Sequence, residues 1–142
     1  MNRYAIYAIA WFVLSAYGFF MRPPSIGVPL FPHFDKFVHF ALFFGQLWLV
    51  ARAYTSQMRP ANNVLWAGLA LLWAIAIEVI QNTLPNRSAD VWDVVADVVG
   101  AVCALIIAHF VIQNRLRLQK ENLSWISMTQ STAPAANAFT MP

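Results

Sequence analysis

Asp35, Lys36, His39, Glu78, Gln81, Arg87, Asp90, Asp93 and Asp97 are the residues of this chain whose types could do chemistry together. Five of its six carboxylates belong to the group, and only Glu121 stands apart. Carboxylates and an imidazole can act as acids, bases or ligands. A lysine and an arginine can hold an anion, Arg87 through its planar fork. Spacing brings several of them onto common faces. At 100° per residue, Asp90, Asp93 and Asp97 fall within an arc of about 60°, and Gly100, Ala101, Ala104 and Ala108 continue that stripe. Ala67, Ala70, Ala74, Glu78 and Gln81 form a second stripe, and Asp35, His39 and Gln46 share a third face with Leu42 among them.

These stripes have to be carried by helices that cross a membrane. Of the 142 residues, 60% are hydrophobic and only 11% charged, against about 25% charged in a soluble domain. Tyr4–Phe20, Phe37–Val50, Val64–Ile77 and Val98–Ile112 are almost free of charge, and each lies in a segment near the roughly 17–25 residues that span a bilayer. Backbone in lipid must satisfy its own hydrogen bonds, so these segments are predicted helices. Small-residue stripes mark where membrane helices approach closely. The acids should therefore point into the bundle, where ionisable groups pair, line water or do work.

The expected fold is all-α: a four-helix transmembrane bundle with short loops and a disordered C-terminal tail. The first span, Tyr4–Phe20, exceeds the 7–15 residues of a signal-peptide core and has no A-x-A-like site after it, so it reads as an anchor. Met21–Phe34 holds four prolines and reads as a loop, with Asp35 placed to cap the second span, Lys36–Tyr54. The third span is Val64–Asn82; Pro85-Asn86-Arg87-Ser88 turns the chain into the fourth, Asp90–Gln113. Residues 1–113 form the four-span domain. Residues 114–142 form an amphipathic extension with Arg115, Arg117 and Lys120, then a tail beyond Met128 too poor in apolar residues to pack.

The charge of +3 does not indicate nucleic acid, because the basic residues sit at the ends of apolar runs rather than in a soluble stripe. Cys103 is the only cysteine and excludes both an intrachain disulfide and a multi-cysteine metal site. His39, Glu78 and Asp93 would suit a metal chemically, but no H-E-x-x-H or similar local spacing is present, so no metal and no cofactor is expected.

Asp35-Lys36-Phe37-Val38-His39-Phe40, Glu78-Val79-Ile80-Gln81 and Pro85-Asn86-Arg87-Ser88-Ala89-Asp90-Val91-Trp92-Asp93, with Asp97 and Gly100, resemble the VanZ-like family of small bacterial membrane proteins. The resemblance covers about residues 34–104 and leaves out the first span and the tail. Asp97 stands where the family commonly has Asn, which adds an ionisable group, and Ala104 where a second Gly is common. The resemblance implies a cell-envelope role, associated in one member with lowered teicoplanin sensitivity, and no reaction. It implies that Asp35, Lys36, His39, Glu78, Gln81, Arg87 and Asp93 are functional; Asp90 and Asp97 join them from the helical spacing.

Three functions fit these residues. The first is a non-enzymatic pocket for a membrane lipid head group, a lipid-linked cell-wall precursor or a glycopeptide, with Lys36 and Arg87 on phosphate or carboxylate and Gln81 and the acids on amide or sugar groups. The second is an enzyme on a lipid-linked substrate with His39 or Glu78 as general base. The third is proton-coupled transport, for which four spans are few and the acids do not continue through the inner half. Oligomeric state is not encoded in these features.

Six basic residues, Arg3, Arg52, Arg59, Arg115, Arg117 and Lys120, lie on the side of the termini, against Arg22, Lys36 and Arg87 on the other. The positive-inside rule then predicts cytoplasmic termini in the cytoplasmic membrane and an outward-facing acid cluster. A fluorescent or enzymatic reporter fused after Pro142 should be active only in the cytoplasm; maturation outside it reverses the orientation.

Overall fold

The computed structural model describes residues 2–21, 31–57, 61–85 and 88–132. Most of the proline-rich loop, the centre of the second connection, Asn86 and Arg87 of the tight turn, and the tail 133–142 lie outside the described residues. The described residues form four helices: α1 (Arg3–Phe20), α2 (Phe34–Thr55), α3 (Asn63–Gln81) and α4 (Val91–Thr132). All four are long and apolar enough to cross a membrane. The protein is a multi-pass, all-α membrane protein.

Each start has a local cause. Asn2 caps α1, its side chain accepting from the Ala5 N–H at 2.8 Å, and Asn62 caps α3 through the Leu65 N–H at 3.1 Å. Asp90 does the same for α4, its Oδ1 accepting from the Trp92 N–H at 2.9 Å. Asp35 is not the cap expected for α2. The helix starts two residues earlier than expected, at Phe34, with His33 at φ 60° in the cap position, which leaves Asp35 inside the first turn where a carboxylate faces the positive end of the helix.

The far end of α4 departs most from expectation. The helix passes Gln113 and Met128 and runs to Thr132, because no glycine or proline stands between Gly100 and Pro134 to stop it. Residues through 108 pack in one compact unit, Met1–Ala108, and those from His109 onward form a second unit. In that second unit Leu116, Leu118, Leu123, Trp125, Ile126 and Met128 are exposed.

The first unit packs through small residues inside and large ones outside. Ala70, Ala74, Ala101, Ala104 and Ala108 are buried, whereas Val13, Leu14, Val64, Leu72, Val79 and Val91 are exposed, as hydrocarbon allows. Phe19, Phe43, Leu47, Ile77 and Leu105 fill the space between the alanines. Two glycines set close approaches. Trp11 lies over Gly45 and donates its Nε1–H to the Leu42 carbonyl at 2.9 Å, locking α1 on α2. Asn2 ties the same pair where α1 begins and α2 ends, its amide donating to the Ala53 carbonyl at 2.8 Å and the Ser56 hydroxyl at 2.9 Å. On α4, Gly100 lies against the backbone of Phe40, so that a Cβ there would run into the Phe40 carbonyl.

Gly100→Ala should therefore lower the melting temperature in detergent, by the equivalent of about 1–3 kcal/mol of overpacking. A Cβ on Gly68 would meet nothing within 4 Å, and Gly68→Ala should be neutral or stabilising by up to about 1 kcal/mol. Equal shifts for the two variants would mean that α2 and α4 do not depend on this close approach.

Candidate functional site

The close approach at Gly100 brings the first turns of α2 and α4 side by side, with the last turn of α3 beside them. Lys36, on the first turn of α2, reaches across to α4. Its Nζ donates to Asp90 Oδ2 at 2.5 Å and Asp93 Oδ1 at 2.9 Å, and also meets its neighbour Asp35 at 3.2 Å. All three ammonium protons are thus engaged by carboxylates. The Asp35 side chain is 61% exposed and Asp93 only 12%, so the group descends from a wet rim into the bundle.

One turn further in, His39 faces Asp97. Its Nδ1 lies 3.1 Å from Asp97 Oδ1, and its Nε2 lies 3.9 Å from Asp93 Oδ2. Asp97 is fully buried and its Oδ2 has no hydrogen-bond partner. Glu78 enters from α3, 5% exposed; its Oε2 accepts from the Asp90 N–H at 2.7 Å, and its Oε1 is buried without a partner. Phe19 of α1 closes the inner side, its ring centroid 4.9 Å from that of His39.

The structure thus brings together Asp35, Lys36, His39, Glu78, Asp90, Asp93 and Asp97 from three helices. Arg87 lies outside the described residues. Gln81 is buried nearby, but its Nε2 donates to the Phe19 carbonyl at 3.1 Å and so ties α3 to α1. Gln46 does not join the cluster although it shares a helical face with His39. Two turns along α2 it lines an apolar cavity of about 120 Å³ between α1, α2 and α3, with Phe12, Phe43, Leu47 and Trp73 among its walls. Phe19 borders this cavity as well as contacting His39. No feature of the sequence marks Phe19 as a site residue, since it is one of several aromatics in an apolar run.

Among the described residues, five carboxylates face one lysine and one histidine. The Lys36 ammonium holds the Asp90 carboxyl below the usual carboxylate range, chiefly through its hydrogen bond. Lys36 is the only described cation among these acids and has no ammonium proton left for a ligand. An incoming phosphate would have to displace one of these carboxylates to pair with it. Two sets of side chains could hold a metal. His39, Glu78 and Asp93 each place one donor atom within 4.8 Å of the others, as do Asp35, Asp90 and Asp93.

Three helices with a lysine and histidine set among membrane-embedded acids define a small membrane protein with a polar site at one end of its bundle. The chain belongs to the VanZ/LLP1 family, whose model matches residues 4–112. That match begins in α1, so the first span lies inside the family region and not outside it. α1 carries none of the motif residues; it contributes an apolar pattern and the wall at Phe19. Neither the curated proteins nor the solved structures searched contain a match to the chain.

Lys36→Met should lower the melting temperature of the detergent-solubilised protein, because it leaves Asp90 and Asp93 as unpaired like-charged neighbours. The pH dependence has a definite sign. A carboxyl whose folded pKa is depressed stabilises the fold above its unfolded value and loses that contribution as pH falls through the folded one. The melting-temperature gap between wild type and Lys36→Met should hold at neutral pH and narrow below about pH 4. A gap that widens on acidification would contradict the pairing of Lys36 with Asp90.

Proposed function

We propose that this protein is a non-enzymatic component of the bacterial cell envelope, seated in the cytoplasmic membrane with both termini inside. In this reading its outward-facing polar pocket binds the head group of a membrane amphiphile: a lipid, a lipid-linked cell-wall precursor or a glycopeptide-type antibiotic. The observation that carries the reading is the descent of the cluster from an exposed Asp35, through a partly exposed Lys36, to buried His39, Glu78, Asp93 and Asp97. A buried polar group without a partner costs about 1–3 kcal/mol, and this cluster keeps at least two such oxygens, on Glu78 and Asp97. A head group bearing amide, hydroxyl or ammonium donors would satisfy them. The apolar cavity that Phe19 borders supports an amphiphile, because it offers a chain a place between α1, α2 and α3.

A second reading is favoured by one contact. His39 Nδ1 against Asp97 is the arrangement that orients an imidazole to act as a base, and it would suit an enzyme acting on a lipid-linked substrate.

Purification from native membrane followed by mass spectrometry of retained lipids tests both readings. Wild type should retain one envelope lipid or precursor above the bulk lipid composition, and Glu78→Ala should lose that enrichment while keeping a monodisperse elution profile. Identical lipid sets for the two proteins would count against the pocket. Conversion of the retained molecule by wild type, abolished in His39→Ala, would replace the binding reading with the enzymatic one.

A further inference from the structure

We propose that His39 Nε2, Glu78 Oε1 and Asp93 Oδ2 form a binding site for one divalent transition-metal ion of the zinc type. The site goes beyond the head-group reading and stands whether or not any lipid binds.

The argument is a donor–acceptor account of three side chains. Asp97 presents only acceptor oxygens when ionised, so the 3.1 Å contact of its Oδ1 requires that His39 Nδ1 carry the proton. The lone pair of a neutral imidazole is then on Nε2. The nearby oxygen on that side, Asp93 Oδ2 at 3.9 Å, is another acceptor. Glu78 Oε1 is the third, on a side chain 95% removed from solvent and without a hydrogen-bond partner. Three acceptors from three helices, one donor atom of each residue within 4.8 Å of the others, are complementary to a cation.

Each of these residues is also held by its other polar atom. His39 Nδ1 is bound to Asp97, Asp93 Oδ1 to the Lys36 ammonium at 2.9 Å, and Glu78 Oε2 to the Asp90 N–H at 2.7 Å. A carboxylate behind a ligating histidine and hydrogen bonds on the far oxygen of ligating carboxylates are the supports that metal sites use to fix ligand orientation. Ligands about 2.1 Å from zinc at tetrahedral angles stand about 3.4 Å apart, so from 3.9 Å His39 and Asp93 need to close by roughly 0.5 Å, and Glu78, within 4.8 Å of both, by at most about 1.4 Å. Three protein ligands leave a fourth coordination position open, as in zinc sites that take up an exogenous group. One imidazole with two carboxylates suits zinc and its first-row neighbours better than the all-oxygen cages of calcium or magnesium. The other set, Asp35, Asp90 and Asp93, is no competitor, because the Lys36 ammonium already sits on all three of its carboxylates. A dication would also offset part of the charge of five carboxylates gathered around one lysine.

The test uses the full-length, tag-free protein in detergent, stripped with a chelator, equilibrated with Zn²⁺ and dialysed. Elemental analysis should then find one zinc per chain. His39→Ala and Glu78→Gln should each lose it, with at least a tenfold weaker dissociation constant, and Asp97→Asn should weaken binding by about 10- to 100-fold through the support of His39. His109→Ala, which removes an exposed imidazole in the second unit, should retain the full equivalent. X-ray absorption on the wild-type zinc protein keeps the proposal open to refutation if a variant fails to fold, because the site requires a single imidazole among oxygen ligands. The proposal is overturned if wild type retains no zinc, if His39→Ala and Glu78→Gln retain as much as wild type, or if the absorption spectrum shows no imidazole scattering.

Discussion

An ionised side chain at the centre of a membrane span costs roughly 2.5–3.5 kcal/mol, and this protein gathers seven ionisable groups, Asp35, Lys36, His39, Glu78, Asp90, Asp93 and Asp97, near one end of its bundle. The cost is tolerable only because helices enclose these groups. Enclosure depends on how closely α2 and α4 approach, and that distance is set where Gly100 meets the Phe40 backbone. With the helices this close, Lys36 reaches both Asp90 and Asp93 and His39 reaches Asp97. A wider crossing would leave the same residues as separate charges facing lipid.

The small-residue stripes and the polar cluster are therefore two parts of one device. Ala70 and Ala74 let α3 come near enough for Glu78 to take the Asp90 N–H, a contact that ties the end of α3 to the start of α4. Gln81 extends the same logic to α1 by donating to the Phe19 carbonyl. The Phe19 ring on that segment touches both His39 and the apolar cavity, a contact that no single helix provides.

The cluster is also unbalanced in its hydrogen bonding. Lys36 spends all its protons on the rim acids, and the inner group of His39, Glu78, Asp93 and Asp97 has more acceptors than donors among the described residues. Stability alone does not call for this arrangement. Well-packed apolar residues in place of a buried ionic group are often neutral or stabilising.

The number of spans, the helical class and the faces carrying Glu78, Asp93 and Asp97 were legible in the sequence, because helical periodicity and the exclusion of charge from hydrocarbon are properties of the chain alone. The family resemblance was legible in the motif residues too, although α1 escaped it because an apolar span has no distinctive side chain. The tertiary structure decided the pairings. That Lys36 engages Asp90 and Asp93, that Gln46 lines a cavity while His39 joins the acids, and that Gln81 serves Phe19 all depend on helix rotation and axial offset. Helical spacing fixes angles within one helix and says nothing about the register between two. The metal-compatible trio shows the difference most clearly. His39, Glu78 and Asp93 lie on three helices with no local ligand spacing, so only the close packing of those helices could bring their donor atoms to within 4.8 Å.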